Sequence, residues 1–141
     1  MTSTKSTLRV RILAMALVVG ALSAGAAFAA DIKVTLSGAN EIPPVTTSAS
    51  GGGTITVGDD RSVSGSVGTT GVAGTAAHIH EGAAGKNGPV IVPLTKEGDN
   101  YKVPAGAKLT EAQMASFKAG NLYVNVHSAA HPNGEIRGQL K

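Results

Sequence analysis

Short stretches of alternating apolar and polar residues recur along residues 30–141, and glycine-containing turns separate them. Such alternation places apolar side chains on one face of an extended strand, so each stretch predicts a half-buried β-strand. The predicted strands cover residues 32–36, 54–57, 62–67, 76–80, 90–94, 121–128 and 135–140. Many short strands joined in this way indicate an all-β fold, an antiparallel sandwich or barrel with Greek-key-like topology.

One segment, residues 109–120, departs from the strand pattern and predicts a single short helix. Thr110 is followed three residues later by Gln113, which is the signature of a capping box, and Gly120 is a typical helix stop. Met114 and Phe117 then serve as packing residues of this helix. We therefore expect one short helix to cover one end of the β core.

The first 29 residues have the features of a secretory signal peptide. Three basic residues precede an apolar run, residues 12–28, and the segment ends in Ala27-Phe28-Ala29, a small-x-small cleavage signal. The alternative is a retained membrane anchor, since the run approaches the roughly 20 residues that span a bilayer. Its alanine and glycine content favours cleavage. We expect a signal peptide at residues 1–29 and one exported domain at residues 30–141, secreted or held in the periplasm or cell envelope, without a membrane span.

Composition narrows the function of the remaining domain. Three of the 12 Lys and Arg residues lie in the signal segment and none of the nine Asp and Glu residues does, so the domain has a formal net charge of zero. Its only Phe, Tyr or Trp residues are Tyr101, Phe117 and Tyr123. A neutral domain with so few aromatic residues is not expected to bind nucleic acid. The sequence has no cysteine, so the domain depends on its core and not on disulfides.

All four histidines lie in two short segments. His78 and His80 are two residues apart on a predicted strand, so their side chains point to the same side with Cα atoms roughly 6.5 to 7 Å apart. His127 lies near the end of strand 121–128, on the face opposite to Val126, and His131 lies in the turn that follows. If the two segments lie side by side, the four imidazoles can converge on one metal ion.

Imidazole ligands without thiolate or thioether groups favour Cu(II) or Zn(II). We therefore predict a copper or zinc site formed by the four histidines, with Glu81 and Glu135 as a weak extra ligand or as acceptors that orient an imidazole. The alternative is that each histidine is an ordinary surface or hydrogen-bonded group, above all His131, which precedes Pro132. Glu135 and Arg137 share one face of the last strand and are expected to form a cross-strand polar network.

Three parts of the sequence carry a family resemblance. They are residues 36–45 (Leu-Ser-Gly-Ala-Asn-Glu-Ile-Pro-Pro-Val), Ala77-His78-Ile79-His80 with Gly-Pro-Val-Ile-Val at residues 88–92, and residues 122–127 (Leu-Tyr-Val-Asn-Val-His) with Gly-Glu-Ile-Arg-Gly-Gln at residues 134–139. With these stretches in this order over essentially all of residues 30–141, the chain resembles the chordin-type (CHRD) domain, in its stand-alone, exported bacterial form. The resemblance implies one β-rich domain. Animal chordins antagonise bone morphogenetic proteins, but the cysteine-rich modules that serve this role are missing here, so we do not expect that activity.

Three classes of function follow from these observations. We predict a small exported binding module with a histidine-rich copper or zinc site. The first alternative is a metal-free adhesive or matrix domain that binds an extracellular protein or polysaccharide. The second is a copper enzyme resembling superoxide dismutase, suggested by the His-x-His strand but weakened by the missing cysteine pair and zinc loop. We assign no catalytic residue and no organic cofactor, and the sequence predicts no oligomeric state.

Overall fold

A computed structural model describes residues 28–141, so residues 1–27 of the predicted signal peptide lie outside the described residues. The described chain consists mainly of β-strand, with one α-helix and a short 3-10 turn at Gly38–Asn40. The elements are β1 (Ala29–Ser37), β2 (Ser50–Gly58), β3 (Val63–Thr70), β4 (Gly74–Glu81), β5 (Val90–Pro93), β6 (Thr95–Glu97), β7 (Asn100–Lys102), α1 (Glu111–Lys118), β8 (Leu122–Ser128) and β9 (Ile136–Leu140).

The nine strands of this part of the chain form one antiparallel sheet in the order β5-β4-β8-β9-β1-β2-β3-β7-β6. Its two edge strands, β5 and β6, are consecutive in the sequence and are joined by Leu94 alone. The Leu94 N–H donates to the Ala77 carbonyl of β4 at 3.0 Å. Because the chain itself passes from one edge to the other, the sheet curls into a nearly closed, barrel-like shape. The predicted all-β antiparallel fold is confirmed.

The core lies on the concave side of this sheet, where the apolar residues of the alternating stretches meet. Leu36, Ile55, Val124, Val126 and Ile136 are all fully buried. Burial of each such side chain stabilises the fold by roughly 1.5 to 3 kcal/mol, so these alternating positions supply much of its stability.

The helix α1 begins and ends as its sequence predicts. Thr110 is the N-cap: its side chain accepts from the Gln113 N–H at 3.1 Å, and the Gln113 side chain accepts from the Thr110 N–H at 2.9 Å. The two bonds together form the predicted capping box. Met114 is buried and Phe117 is partly buried against the core, so both are the packing residues that were expected.

Two strands, β6 and β7, were not predicted. Each has three residues, which is too short for an alternating pattern to be recognised, and of the six only Tyr101 is buried. Each of the seven predicted strands corresponds to one of the other seven observed strands.

The outer face of β4, β8 and β9 carries a second layer, which is polar and whose residues are buried or half-buried. Residues 82–89, here named the cover loop, and the segment that contains Glu41 lie over this face. Asn125 and Arg137 are consequently only 3% and 1% exposed although they lie outside the apolar core. The residues of this polar layer are His78, His80, Tyr123, Asn125, His127, Arg137 and Gln139.

None of the helices among residues 28–141 is long and apolar enough to cross a membrane.

Candidate metal centre

The pairing of β4 with β8 brings three of the four histidines together. His78 is opposite Asn125, His80 is opposite Tyr123, and His127 is opposite Ala76 on the same face. One ring nitrogen from each of His78, His80 and His127 lies within 4.8 Å of those of the other two. The two histidine segments therefore lie side by side, which is the condition for their imidazoles to share one metal ion. As predicted, His127 lies on the face opposite to the buried Val126.

His80 is the most buried of the three, with 8% of its surface exposed. Its Nδ1 lies 2.9 Å from the Gly88 carbonyl of the cover loop. A carbonyl can only accept, so Nδ1 carries the proton and Nε2 of the neutral ring has a free lone pair. Among residues 28–141, Nε2 has no hydrogen-bond partner although it is buried. A ring fixed at one nitrogen with the other nitrogen free is the usual arrangement of a metal-binding histidine.

His127 is oriented by the same kind of contact. Its Nδ1 lies 2.9 Å from the Pro132 carbonyl and so carries the proton, while its Nε2 lies 3.0 Å from Nδ1 of His78. A proton must lie between these last two nitrogens, and with His127 protonated at Nδ1 it belongs to His78. If the proton of the neutral His78 ring were on Nε2 instead, a metal ion between these two nitrogens would receive a lone pair from each ring.

Burial favours the neutral, metal-binding form of two of these rings. The pKa of His78 is lowered from its ordinary 6.5 by burial and by the neighbouring His127 and His80. The pKa of His80 is also lowered, mainly by burial, although the bond to Gly88 acts in the opposite direction. Both rings are therefore neutral near pH 7, so metal binding there does not require their deprotonation.

A stack of three side chains supports the buried end of the cluster. The His80 ring lies parallel to the Tyr123 ring, with the centroids 4.7 Å apart and the planes 3° apart. The Arg137 Cζ lies 3.4 Å from the centroid of Tyr123. The Gly88 N–H donates to the Tyr123 hydroxyl at 3.1 Å, so the residue that holds His80 is itself held by this stack.

Arg137 also fixes the cover loop. Its guanidinium donates to the carbonyls of Lys86 at 2.6 Å and Ala83 at 3.3 Å, and to Oδ1 of Asn87 at 3.1 Å. Glu135 and Arg137 were expected to form a network across neighbouring strands. Arg137 instead binds the cover loop, and Glu135 accepts from the Thr47 hydroxyl at 2.8 Å. The loop contacts connect Arg137 indirectly to the orientation of His80.

His131 lies in the turn after β8 and is not a member of the three-histidine group. Its backbone N–H donates to the Ser128 hydroxyl at 3.1 Å. The acceptors that orient His80 and His127 are backbone carbonyls, whereas Glu81 accepts from the Ser116 hydroxyl. Every residue has a carbonyl, so no sequence pattern could have identified Gly88 or Pro132 in this role.

The model of the CHRD domain family matches residues 32–140. The chain belongs to the CHRD domain family. The match extends from β1 to the last residue of β9, so α1, the cover loop and the three-histidine group all lie within the CHRD domain. Comparison with curated proteins and comparison with solved structures each gave no match.

Proposed function

We propose that this CHRD domain binds a Cu(II) or Zn(II) ion through His78, His80 and His127. The observation that carries the proposal is His80 Nε2, a buried acceptor that has no partner among the described residues. An unsatisfied buried polar atom costs about 1 to 3 kcal/mol, so such atoms are rare unless they have a role. A metal ion bound by Nε2 removes this cost.

The donor set supports the choice of metal. The three ligand atoms are imidazole nitrogens within 4.8 Å of one another, and two of the rings are already oriented by backbone carbonyls. Imidazole suits copper and zinc, whereas magnesium and calcium prefer oxygen ligands. Two rings that are neutral near pH 7 bind the ion without first losing a proton.

We also propose that the protein is exported, on the strength of the predicted signal peptide at residues 1–29. Imidazole ligands suit an oxidising compartment, since they do not undergo the oxidation that removes cysteine thiolates. Mass measurement of the intact protein recovered from the envelope or medium tests this proposal. A chain beginning at Ala30 is expected, and a full-length chain retained in the membrane fraction would contradict it.

A copper enzyme of the redox type is a second candidate function. His78 and His127 are only half-buried, so the group is reachable from solvent on their side, while His80 closes the other side. Metal sites that keep a position accessible to a small molecule are typical of catalysis, and closed sites are typical of structural metals. A superoxide dismutase assay on the copper-loaded protein tests it, with the His80→Ala variant as the blank.

The experiment that tests metal binding is a competition titration with Cu(II) and with Zn(II) at neutral pH. It compares the wild-type protein with His78→Ala, His80→Ala and His127→Ala. The matched control is His131→Ala, which removes the fourth histidine without touching the group. Each ligand variant should lose more than about 100-fold in affinity. Replacing a residue that only supports a ligand already costs about 10- to 100-fold. His131→Ala should keep the wild-type affinity.

The electron paramagnetic resonance (EPR) spectrum of the copper form gives a second readout. Hyperfine structure from several nitrogens is expected in the wild type and in His131→Ala, with fewer nitrogens in the three ligand variants. Weak uptake by the wild type, or an equal loss for His131→Ala and His80→Ala, would reject the proposed site.

A further inference from the structure

Asn125 occupies the centre of the histidine group. It is directly opposite His78 in the β4–β8 pairing, and on its own strand it lies between Tyr123 and His127 on the same face. Asn125 is buried, with 3% of its surface exposed. Its position therefore places an amide among the three imidazoles.

The two ends of this amide face different neighbours. A Cβ added at Gly134 would collide with Nδ2 of Asn125 and with Oε1 of Glu41, so the Nδ2 end lies on the Glu41 side. The amide also adjoins His80. The Oδ1 end is therefore the one that lies toward His80, and it too is buried without a hydrogen-bond partner within residues 28–141.

The neighbouring side chains of His80 and Asn125 therefore present two buried acceptors to the same region of the polar layer. His80 has its proton on Nδ1, where the Gly88 carbonyl requires it, so Nε2 presents a lone pair. Oδ1 of Asn125 likewise presents lone pairs and cannot donate. Two adjacent buried acceptors repel each other unless a hydrogen-bond donor or a cation lies between them.

We propose that Oδ1 of Asn125 is a fourth protein ligand of the metal ion, which gives a site of three imidazole nitrogens and one amide oxygen. This inference rests on the proposed function, since it concerns the same ion. The additional ligand is neutral, so the site retains the full charge of the ion. A hard oxygen ligand favours Cu(II) and Zn(II) over the softer Cu(I).

The competing arrangement is an amide rotated by 180°, which exchanges Oδ1 and Nδ2. Nδ2 would then donate to Nε2 of His80, and Asn125 would compete with the metal for that nitrogen. The two arrangements predict opposite effects of removing the amide. Loss of a ligand weakens metal binding, whereas loss of a competing donor leaves binding unchanged or strengthens it.

The test is Cu(II) titration and EPR of purified wild-type protein and of Asn125→Leu, which keeps the approximate size of the side chain and removes both polar atoms. Tyr101→Phe is the control, because it removes the hydroxyl of a buried residue of the apolar core, outside the polar layer. We expect Asn125→Leu to lose about 10-fold or more in Cu(II) affinity. This loss is smaller than that of a histidine variant, because an amide oxygen is a weaker copper ligand than an imidazole nitrogen. We expect Tyr101→Phe to match the Cu(II) affinity of the wild type.

Asn125→Asp is the second variant and decides the matter if Asn125→Leu does not fold. It keeps an oxygen at the ligand position and adds a negative charge, so Cu(II) should bind more tightly and the parallel g value of the EPR spectrum should change. An unchanged spectrum in Asn125→Asp, or an affinity of Asn125→Leu equal to or above that of the wild type, overturns the inference. In that case the three-histidine site still stands if the wild type shows nitrogen hyperfine structure. A wild type without a specific copper signal rejects both proposals.

Discussion

Replacement of Arg137 by Met should destabilise the cover loop and the polar layer beneath it, because one buried guanidinium donates to three acceptors of that loop. It donates to the carbonyls of Ala83 and Lys86 and to Oδ1 of Asn87, and it lies over the ring of Tyr123. A hydrogen bond to a charged group contributes about 1.5 to 3 kcal/mol, so three of them set an upper range of about 5 to 9 kcal/mol.

The expected loss is smaller than this upper range, because Lys86 and Asn87 are exposed and Ala83 is partly exposed, so the freed acceptors can turn toward water. Methionine also retains much of the apolar contact of the arginine stem. We therefore expect Arg137→Met to lower the free energy of unfolding by about 3 to 5 kcal/mol, as is typical when one member of a buried polar network is removed. The cover loop positions Gly88, so metal affinity should fall as well.

Urea denaturation of the metal-free protein measures this loss, with Lys86→Met as the control. Lys86 has an exposed side chain in the same loop, and its replacement makes the same change in charge while leaving its carbonyl in place. The control should stay within about 0.5 kcal/mol of the wild type. If Arg137→Met also stayed within about 1 kcal/mol, the guanidinium would not be what holds the loop.

Three further predictions concern pH, the helix and one glycine. Without metal, the contribution of His78 and His80 to the free energy of unfolding should be full above pH 6.5 and be lost at lower pH, because their pKa values are lowered in the fold and the unfolded chain takes up protons first. Urea titrations across this pH range measure the fall. A His78→Gln, His80→Gln double variant should show a smaller fall. Thr110→Ala should cost about 1 kcal/mol by the loss of the capping box, measured by thermal unfolding, and an unchanged midpoint would contradict this. Gly134→Ala should be destabilising, since φ is 126° there and a Cβ would collide with the side chains of Glu41 and Asn125. A thermal-unfolding midpoint at or above the wild-type value would show that the segment can shift without cost.

The fold could be predicted because its signals are local. Alternation of apolar and polar residues identifies a strand from five or six residues, and Thr110 with Gln113 identifies the start of α1 without knowledge of the rest of the chain. The two strands that were not predicted, β6 and β7, have three residues each; β7 pairs with β3, and β6 pairs with β7. Their sequences alone do not require that structure.

The candidate site could be predicted only in part. The spacing of His78 and His80 determines that both lie on one face, but the register of β4 against β8 decides that His127 joins them and that His131 does not. Asn125 was not predicted as a site residue, since an asparagine between two valines on a strand indicates an ordinary solvent-facing position. The signal that identifies it is its burial beneath residues distant in the sequence, and this is a property of the folded chain.

The unsatisfied atoms of the structure separate a metal site from a group of structural histidines. A buried histidine with a purely structural role is expected to satisfy both ring nitrogens, because each unpaired one is costly. Within residues 28–141 the buried side-chain atoms without a partner are Oε1 of Glu41, Nε2 of His80 and Oδ1 of Asn125. Asn125 adjoins the other two residues, so the three atoms lie in one region of the polar layer. All three are acceptors, and the proposed cation satisfies two of them at once, Nε2 of His80 and Oδ1 of Asn125.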